Sequence, residues 1–460
     1  MPQPPHPAVH ALGERLHHQR LTRRDMLWLF GAASAAVALQ GCAVSPVTGE
    51  RILVGMSREQ EIAIDRAQAP HQFSQDMGAV QDADLNAYLS EVGQGLQAAV
   101  QRPDMPYSYR VLNANYVNAY TFPGGAMGVT RGIMTELQDE AELAALLGHE
   151  LGHVNARHSA QRQGQTLLAQ VAVVGLAVAA GDSQWAPLAG IGGQIGASAL
   201  LANYSRSHER EADALGQAYL VQAGYPASGM TGLHELLIDG HEKQPSLLQT
   251  MFSSHPMSTE RRDTARQAAE TSYAASLKAP NRRERFMDSS AALRRIKPTI
   301  DACKAGETAM AQKKLPEAQA RFAQALGLTP QDYPANLRMA QTLQALGKTA
   351  DARRYADAAH QIYPQEAQAL KLNASLKLGL RDAGGALADL QAYDQRLPGD
   401  PGVLFLKGVS LEGLGQRQAA AQHYAAFLRQ SQQGGAAQYS AARLQTWGYL
   451  PAAAAPVAPR

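Results

Sequence analysis

The chain has 460 residues, 45% of them apolar and 18% charged, with 42 Lys and Arg against 40 Asp and Glu. So even a balance argues against nucleic-acid binding, which normally shows a basic face or run, and two cysteines exclude a disulfide scaffold or a four-cysteine zinc site. No run of about 18 uninterrupted apolar residues argues for a transmembrane helix, which leaves an Ala-rich, mainly helical chain of about three units.

The first element reads as an address. Arg20, Arg23 and Arg24 precede an apolar run from Met26 to Leu39, the length of an export-signal core and too short to span a bilayer. Leu39-Gln40-Gly41-Cys42 follows and resembles a bacterial lipobox. That resemblance implies cleavage before Cys42 and lipid attachment to its thiol. Ala43 is not Asp, which by the bacterial sorting rule implies an outer-membrane anchor in the periplasm. Thr22-Arg23-Arg24 leaves Sec and twin-arginine export both open.

Asp139 and Glu142 have the spacing of a capping box, and Leu143, Leu146, Leu147, Leu151 and Val154 recur at helical period. Within that helix His149-Glu150-Leu151-Gly152-His153 is an HExxH motif. Residues four apart share a helix face, so both imidazoles reach one zinc ion at roughly 2.0–2.1 Å. Glu150 is then placed as general base toward a water. A zinc hydrolase needs a third protein ligand and one open position. Downstream, His208-Glu209-Arg210-Glu211-Ala212-Asp213 offers candidates. Glu209 and Asp213 share a face, but spacing alone leaves Glu209, Glu211 and His208 open, and a plain charged helix surface fits the stretch as well.

The paired motifs resemble the HtpX/BepA-like zinc metallopeptidases, relatives of the CAAX prenyl proteases. Their pattern is HExxH followed by ExxxD. The resemblance implies zinc on His149, His153 and Glu209, one ion per subunit, with Asp213 supporting a ligand imidazole. Asn118–Gly125 resembles the family's active-site edge strand and Pro-Gly-Gly turn, Val129–Gly132 the strand end after it, and Ser45–Gly49 the segment following a lipid-anchored cysteine. His255-Pro256 by itself marks a turn and a broken helix. The resemblance, which covers about residues 43–275, implies more: His255 as a self-inhibiting fourth ligand and Arg261 facing the active site, where it would steady an oxyanion. Substrate is expected to add as a strand beside Ala126–Val129.

Residues 163–205 carry one charge, Asp182. Leu167–Ala180 is expected as a buried helix and Trp185–Ala202 as a Gly-rich segment over the active site, with membrane-surface contact as the competing expectation. Further on, Pro330, Pro364 and Pro398 stand 34 residues apart, as do Ala318, Ala352, Ala386 and Ala420. Thirty-four residues is the tetratricopeptide unit of two helices. Repeats are expected at 299–332, 333–366, 367–400 and 401–434, with a capping helix at 438–447. Phe322 and Tyr424 are expected to fill the space between paired helices. Such arrays bind peptides or protein surfaces.

The expected organisation is therefore an export signal with lipobox at 1–42, a zinc metallopeptidase domain at 43–280, a linker at 281–298, a tetratricopeptide domain at 299–450 and a disordered tail at 451–460. The fold class is mainly α: an α+β zincin-type domain with a small sheet and an HExxH helix, then an all-α solenoid. The expected function is an endopeptidase of the bacterial cell envelope acting on misfolded or misassembled outer-membrane proteins, or engaged with their assembly machinery. The alternative is a chaperone whose zinc site is idle or structural. Deleting residues 299–460 is expected to leave zinc binding intact.

Overall fold

The computed structural model describes residues 42–179, 204–243 and 251–450. The expected signal up to Gly41, the Gly-rich stretch Trp185–Ala202 and the C-terminal tail lie outside the described residues. The first described element is a hairpin. Strands β1 (Cys42–Val44) and β2 (Arg51–Leu53) pair antiparallel, with Cys42 opposite Leu53 and its thiol exposed. Helix α1 (Arg58–Gln75) opens with a reciprocal cap: Ser57 Oγ accepts from the Gln60 N–H, and Gln60 Oε1 accepts from the Ser57 N–H at 2.7 Å. Helix α2 (Ala83–Gln97) sends Leu85, Leu89, Val92 and Leu96, at helical spacing, into the main core.

Strands β3 (Ser108–Leu112), β4 (Ala119–Thr121) and β5 (Ala126–Thr130) form a sheet in the order β3-β5-β4. β5 runs parallel to β3 and antiparallel to β4. The strand expected to receive substrate, Ala126–Val129, is thus central, with both sides paired. The edge strands are β3 and β4, and β4 is the one that leads into the turn beside His153. The turn between β4 and β5 is held by Asp65, whose carboxylate accepts from the Gly124 N–H at 2.7 Å and the Ala126 N–H at 2.8 Å. Gly125 there has φ of +101°, and the Tyr107 ring fills the space a side chain would need.

A short helix α3 (Arg131–Met134) leads to α4 (Glu140–Asn155), α5 (His158–Ala179), α6 (Arg206–Gln222), α7 (Ser228–Lys243) and α8 (Thr259–Glu270). At the start of α4, Asp139 accepts from the Glu142 N–H at 3.0 Å, as a cap should. Glu142 reaches one residue further back than a capping box requires and accepts from the Gln138 N–H at 2.6 Å. All sixteen residues of α4 are buried, so the HExxH helix runs through the core rather than along its surface. It crosses α6 at small residues. A methyl on Gly152 would stand 2.8 Å from the Ala212 carbonyl oxygen, and one on Gly216 would stand 2.7 Å from the His149 nitrogen. This close approach carries Glu209 up to the two histidines.

Two expectations change here. Where its side chains are described, the later part of α5 is not buried: Leu168 is exposed and Leu167 half-buried. The segment expected as a linker is helical and anchored to the peptidase core by a few buried side chains. Helices α9 (Arg283–Ser289) and α10 (Ala291–Arg295) place Phe286 and Leu293 in the peptidase core, and Ile300 of the next helix joins them. Among the described residues no helix is long and apolar enough to cross a membrane.

The C-terminal region is helical pairs. They are α11 (Lys297–Ala311) with α12 (Leu315–Leu328), α13 (Tyr333–Ala345) with α14 (Thr349–Ile362), α15 (Gln368–Gly379) with α16 (Ala383–Arg396), and α17 (Pro401–Gly413) with α18 (Arg417–Gln430); α19 (Gly435–Thr446) follows. The 34-residue period has a packing cause. Ala318, Ala352, Ala386 and Ala420 are all fully buried, and a methyl at Gly306 or Gly408 would collide with the ring of Phe322 or Tyr424.

The pairs are not hung on a tether. Arg131, the first residue of α3, donates from Nη1 to Asp332 Oδ2 at 2.6 Å and from Nη2 to Asp332 Oδ1 at 3.2 Å. Its Nε and Nη2 also donate to Asn115 Oδ1, at 2.9 and 2.6 Å. Asp332 in turn caps α13 by accepting from the Ala335 N–H. Nearby, Ser74 of α1 donates to Glu366, which also accepts from the Tyr333 hydroxyl at 2.6 Å.

Candidate active site

The structure brings His149, His153, Glu209 and His255 together: one ligand atom from each lies within 4.8 Å of the others, and all four residues are buried. His149 and His153 come from adjacent turns of α4, with Nε2 atoms 3.0 Å apart. Glu209 enters from the first turn of α6, whose N-terminus is capped by Ser205 accepting from the His208 N–H. Its oxygens stand 3.5 Å from His149 Nε2 and 3.4 Å from His153 Nε2. His255 arrives from the loop before α8, its Nδ1 3.2 Å from both His149 Nε2 and Glu209 Oε1.

The three candidates in the downstream stretch separate by direction. Glu209 turns to the α4 histidines. Glu211 turns to His158, Oε2 lying 3.1 Å from Nε2. His208 stacks on the His158 ring, with centroids 4.3 Å apart. Asp213, one turn after Glu209, places Oδ1 2.9 Å from His149 Nδ1. Arg261 of α8 is not directed at open space. Its Nε and Nη2 donate to Asp213 at 2.6 and 2.7 Å, Nη1 donates to the Pro256 carbonyl, and Nη1 lies 2.8 Å from Glu209 Oε2. With those donors engaged, the guanidinium braces two carboxylates instead of facing a substrate oxyanion.

Electrostatics follow from burial and these contacts. Burial drives the His153 pKa well below its ordinary value, which keeps the imidazole neutral, the form that binds a metal. Burial acts to raise Glu209, but the neighbouring His255 charge and the hydrogen bonds of His153 and His255 outweigh it and hold the carboxyl well below the usual range. Asp213 is likewise held low: burial opposes, and His234 and Arg261 prevail. Glu150 differs. Burial raises its pKa against the opposing charges of His255 and His149. Neither of its oxygens has a hydrogen-bond partner among the described residues, and His255 Nε2 stands 3.6 Å from Oε1. A buried carboxylate without a partner costs free energy unless another group occupies the site. Converging imidazoles and a carboxylate beside it are a donor set that fits a divalent metal.

Sequence reasoning passed over three residues near the cluster. His158 lies five residues after His153 in plain view of the motif and packs against it. His234 of α7 lies 3.3 Å from Asp213 Oδ1, and Tyr204 stacks on His153 at 3.9 Å between centroids. Nothing in the local pattern signals the last two. The turn after β4 also borders the site: Thr121, Phe122 and Pro123 line a small crevice together with His153.

Residues 83–269 match the model of peptidase family M48, and residues 309–376 match a tetratricopeptide repeat model. Three curated relatives are similar over part of the chain. A putative beta-barrel assembly-enhancing protease of Vibrio cholerae is 32% identical over 203 residues, 41% of this chain and 40% of the relative. The beta-barrel assembly-enhancing protease of Yersinia pestis is 28% identical over 258 residues, 54% and 52% of the two chains. Metalloprotease YcaL of Escherichia coli is 34% identical over 158 residues, 34% and 59%. The chain thus spans about half the length of the curated relatives it matches.

Proposed function

The chain carries a peptidase family M48 domain followed by tetratricopeptide repeats, and from that premise we propose that it is a zinc endopeptidase of the bacterial cell envelope. The observation that carries this reading is the buried convergence of His149, His153 and Glu209 beside the Glu150 carboxylate, which accepts no hydrogen bond among the described residues. His149, His153 and Glu209 would hold the zinc ion, which when bound would supply Lewis-acid chemistry toward the scissile carbonyl and the attacking water. Glu150 takes the proton as the water oxygen bonds to the carbonyl carbon, then delivers it to the amine as the C–N bond breaks. Asp213 fixes the tautomer of His149. Arg261 keeps Asp213 and Glu209 in place. Substrate adds as a strand to β4, whose end borders the site.

His255 acts as a latch. Its Nδ1 faces the ligand cluster and its Nε2 faces Glu150, so one ring covers both the position a substrate needs and the base. The His-Pro loop that carries it swings away when substrate enters. The relatives' name, beta-barrel assembly-enhancing protease, supports β-barrel proteins undergoing assembly as the protein partners, and we propose that misassembled outer-membrane proteins or their assembly machinery are engaged. A groove of about 1130 Å3 between α1 and the last two repeats, bordered by Arg66, His71, Lys371, Tyr393 and Arg396, supports a partner-holding role for the repeats. The exposed Cys42 and the lipobox before it support a lipid anchor in the inner leaflet of the outer membrane, on the periplasmic side.

The test is digestion of casein and of an unfolded outer-membrane protein by the wild type and by Glu150→Gln, with zinc content measured in both. Cleavage that depends on Glu150 at equal zinc supports the peptidase. Equal activity in the two, or assembly phenotypes alone that survive Glu150→Gln, would favour a chaperone with an idle metal.

A further inference from the structure

His153 makes a contact that neither the HExxH motif nor the ExxxD pair calls for. Its Nδ1 lies 2.8 Å from His158 Nδ1, and His158 Nε2 lies 3.1 Å from Glu211 Oε2. The backbone builds this deliberately. α4 ends at Asn155 with Ala156 as its C-cap, and Arg157 takes φ of +59°, a left-handed conformation that costs a non-glycine residue free energy. That bend starts α5 with His158 folded back alongside His153. Arg157 is locked there by Glu61 Oε1 at 3.0 Å and the Met56 carbonyl at 2.7 Å. His158 is fully buried, with the His208 ring stacked on its face.

The direction of the hydrogen bonds follows from the tautomers. A His153 that offers Nε2 to a metal carries its proton on Nδ1 and donates it to His158 Nδ1. His158 then carries its own proton on Nε2 and donates to the Glu211 carboxylate. Each link has one donor and one acceptor. The reverse chain would put the proton on His153 Nε2 and abolish the ligand. We infer that His158 and Glu211 are positioning residues for His153, fixing its tautomer and ring plane and so setting how tightly the site holds its metal. The two α4 histidines are thereby steadied by different means. His149 rests on an ion-paired carboxylate, Asp213 with Arg261. His153 rests on a neutral ring that passes the interaction to a carboxylate at the protein surface, about one-third exposed.

This inference rests on the reading of His153 as a metal ligand, and its test separates the two. Zinc affinity of the full chain is measured by competition with a chromogenic chelator, and the cobalt-substituted protein is examined by visible absorption. His158→Phe keeps a ring but no acceptor, and is expected to lose about 10- to 100-fold in zinc affinity and to shift the cobalt bands. His158→Asn returns an oxygen acceptor near the Nδ1 position and should recover most of the loss. Glu211→Ala, on a half-buried carboxylate at the surface, should weaken zinc in the same direction by less; it decides the matter alone if His158→Phe does not fold. Wild-type affinity and spectrum in Glu211→Ala and His158→Phe would overturn the relay, as would a His158→Asn no better than His158→Phe. A wild-type chain that holds no zinc would overturn the metal reading, and the relay with it.

Discussion

The peptidase cluster and the seam between peptidase and repeats are both buried polar networks, but they are finished to different degrees. At the seam, Arg131 meets both oxygens of Asp332 and the side-chain oxygen of Asn115, while Asp332 also caps a helix. Charge and hydrogen bonds close within the protein. In the cluster, four ligand atoms crowd within 4.8 Å and, among the described residues, neither oxygen of Glu150 has a hydrogen-bond partner. Proteins keep such an imbalance where chemistry needs it and compensate for it elsewhere. A closed network therefore points to structure, and an open one to a missing participant.

Breaking the seam should produce the largest effect. Asp332→Ala leaves Arg131 charged and unpaired in the interior, which costs about 3–5 kcal/mol, measurable by urea unfolding. For the same reason, removing residues 299–460 should destabilise the peptidase domain and weaken zinc retention, contrary to the independence that the repeat pattern alone suggests. The cluster should respond in activity instead. His255→Ala removes a cover but none of the three proposed ligands, so zinc stays and casein cleavage rises, about tenfold if the latch is closed nine times in ten; loss of activity in a folded, zinc-loaded variant would make His255 a catalytic or substrate-binding residue. Glu150→Gln should reverse the sign seen at the seam. Replacing a buried carboxylate that accepts no hydrogen bond among the described residues by a neutral amide should stabilise the metal-free protein by about 0.5–2 kcal/mol, visible as a higher melting temperature.

A smaller effect concerns Asp65, which holds the turn after β4. Burial raises its pKa from 3.8 to about 6, against the two backbone hydrogen bonds it accepts. Between about pH 4 and pH 6 the folded protein keeps a proton that the unfolded chain has released. The stability this provides is complete at the acid end and is lost as pH rises through 6. Asp65→Asn should flatten that part of the profile, measured as urea midpoints across the window.

How much of this was legible in the sequence depended on distance along the chain. HExxH is written within five residues, because i and i+4 share a helix face. The 34-residue period exposed the helical pairs, because each repeat needs a small residue where a ring or helix packs close, as Gly306 does for Phe322. Glu209 was only half legible. Spacing left Glu211 and His208 standing, and direction on α6 separated them. The seam was invisible: Arg131 and Asp332 are 201 residues apart, and neither local pattern hints at the other. Strand order was likewise hidden, so β5 read as open to substrate although β3 and β4 flank it. Phe286 sits in so charged a stretch that the segment read as a linker, yet it is fully buried in the core.

The direct test of the open cluster is thermal unfolding of the metal-stripped chain with and without zinc, beside a zinc-binding isotherm. A ligand that binds only the folded state stabilises by about 4 kcal/mol at a thousand times its dissociation constant. The account predicts one zinc per chain and a clear rise in melting temperature, both abolished in His149→Ala. A folded wild-type chain that takes up no zinc, with the same melting curve in its presence and absence, would contradict it.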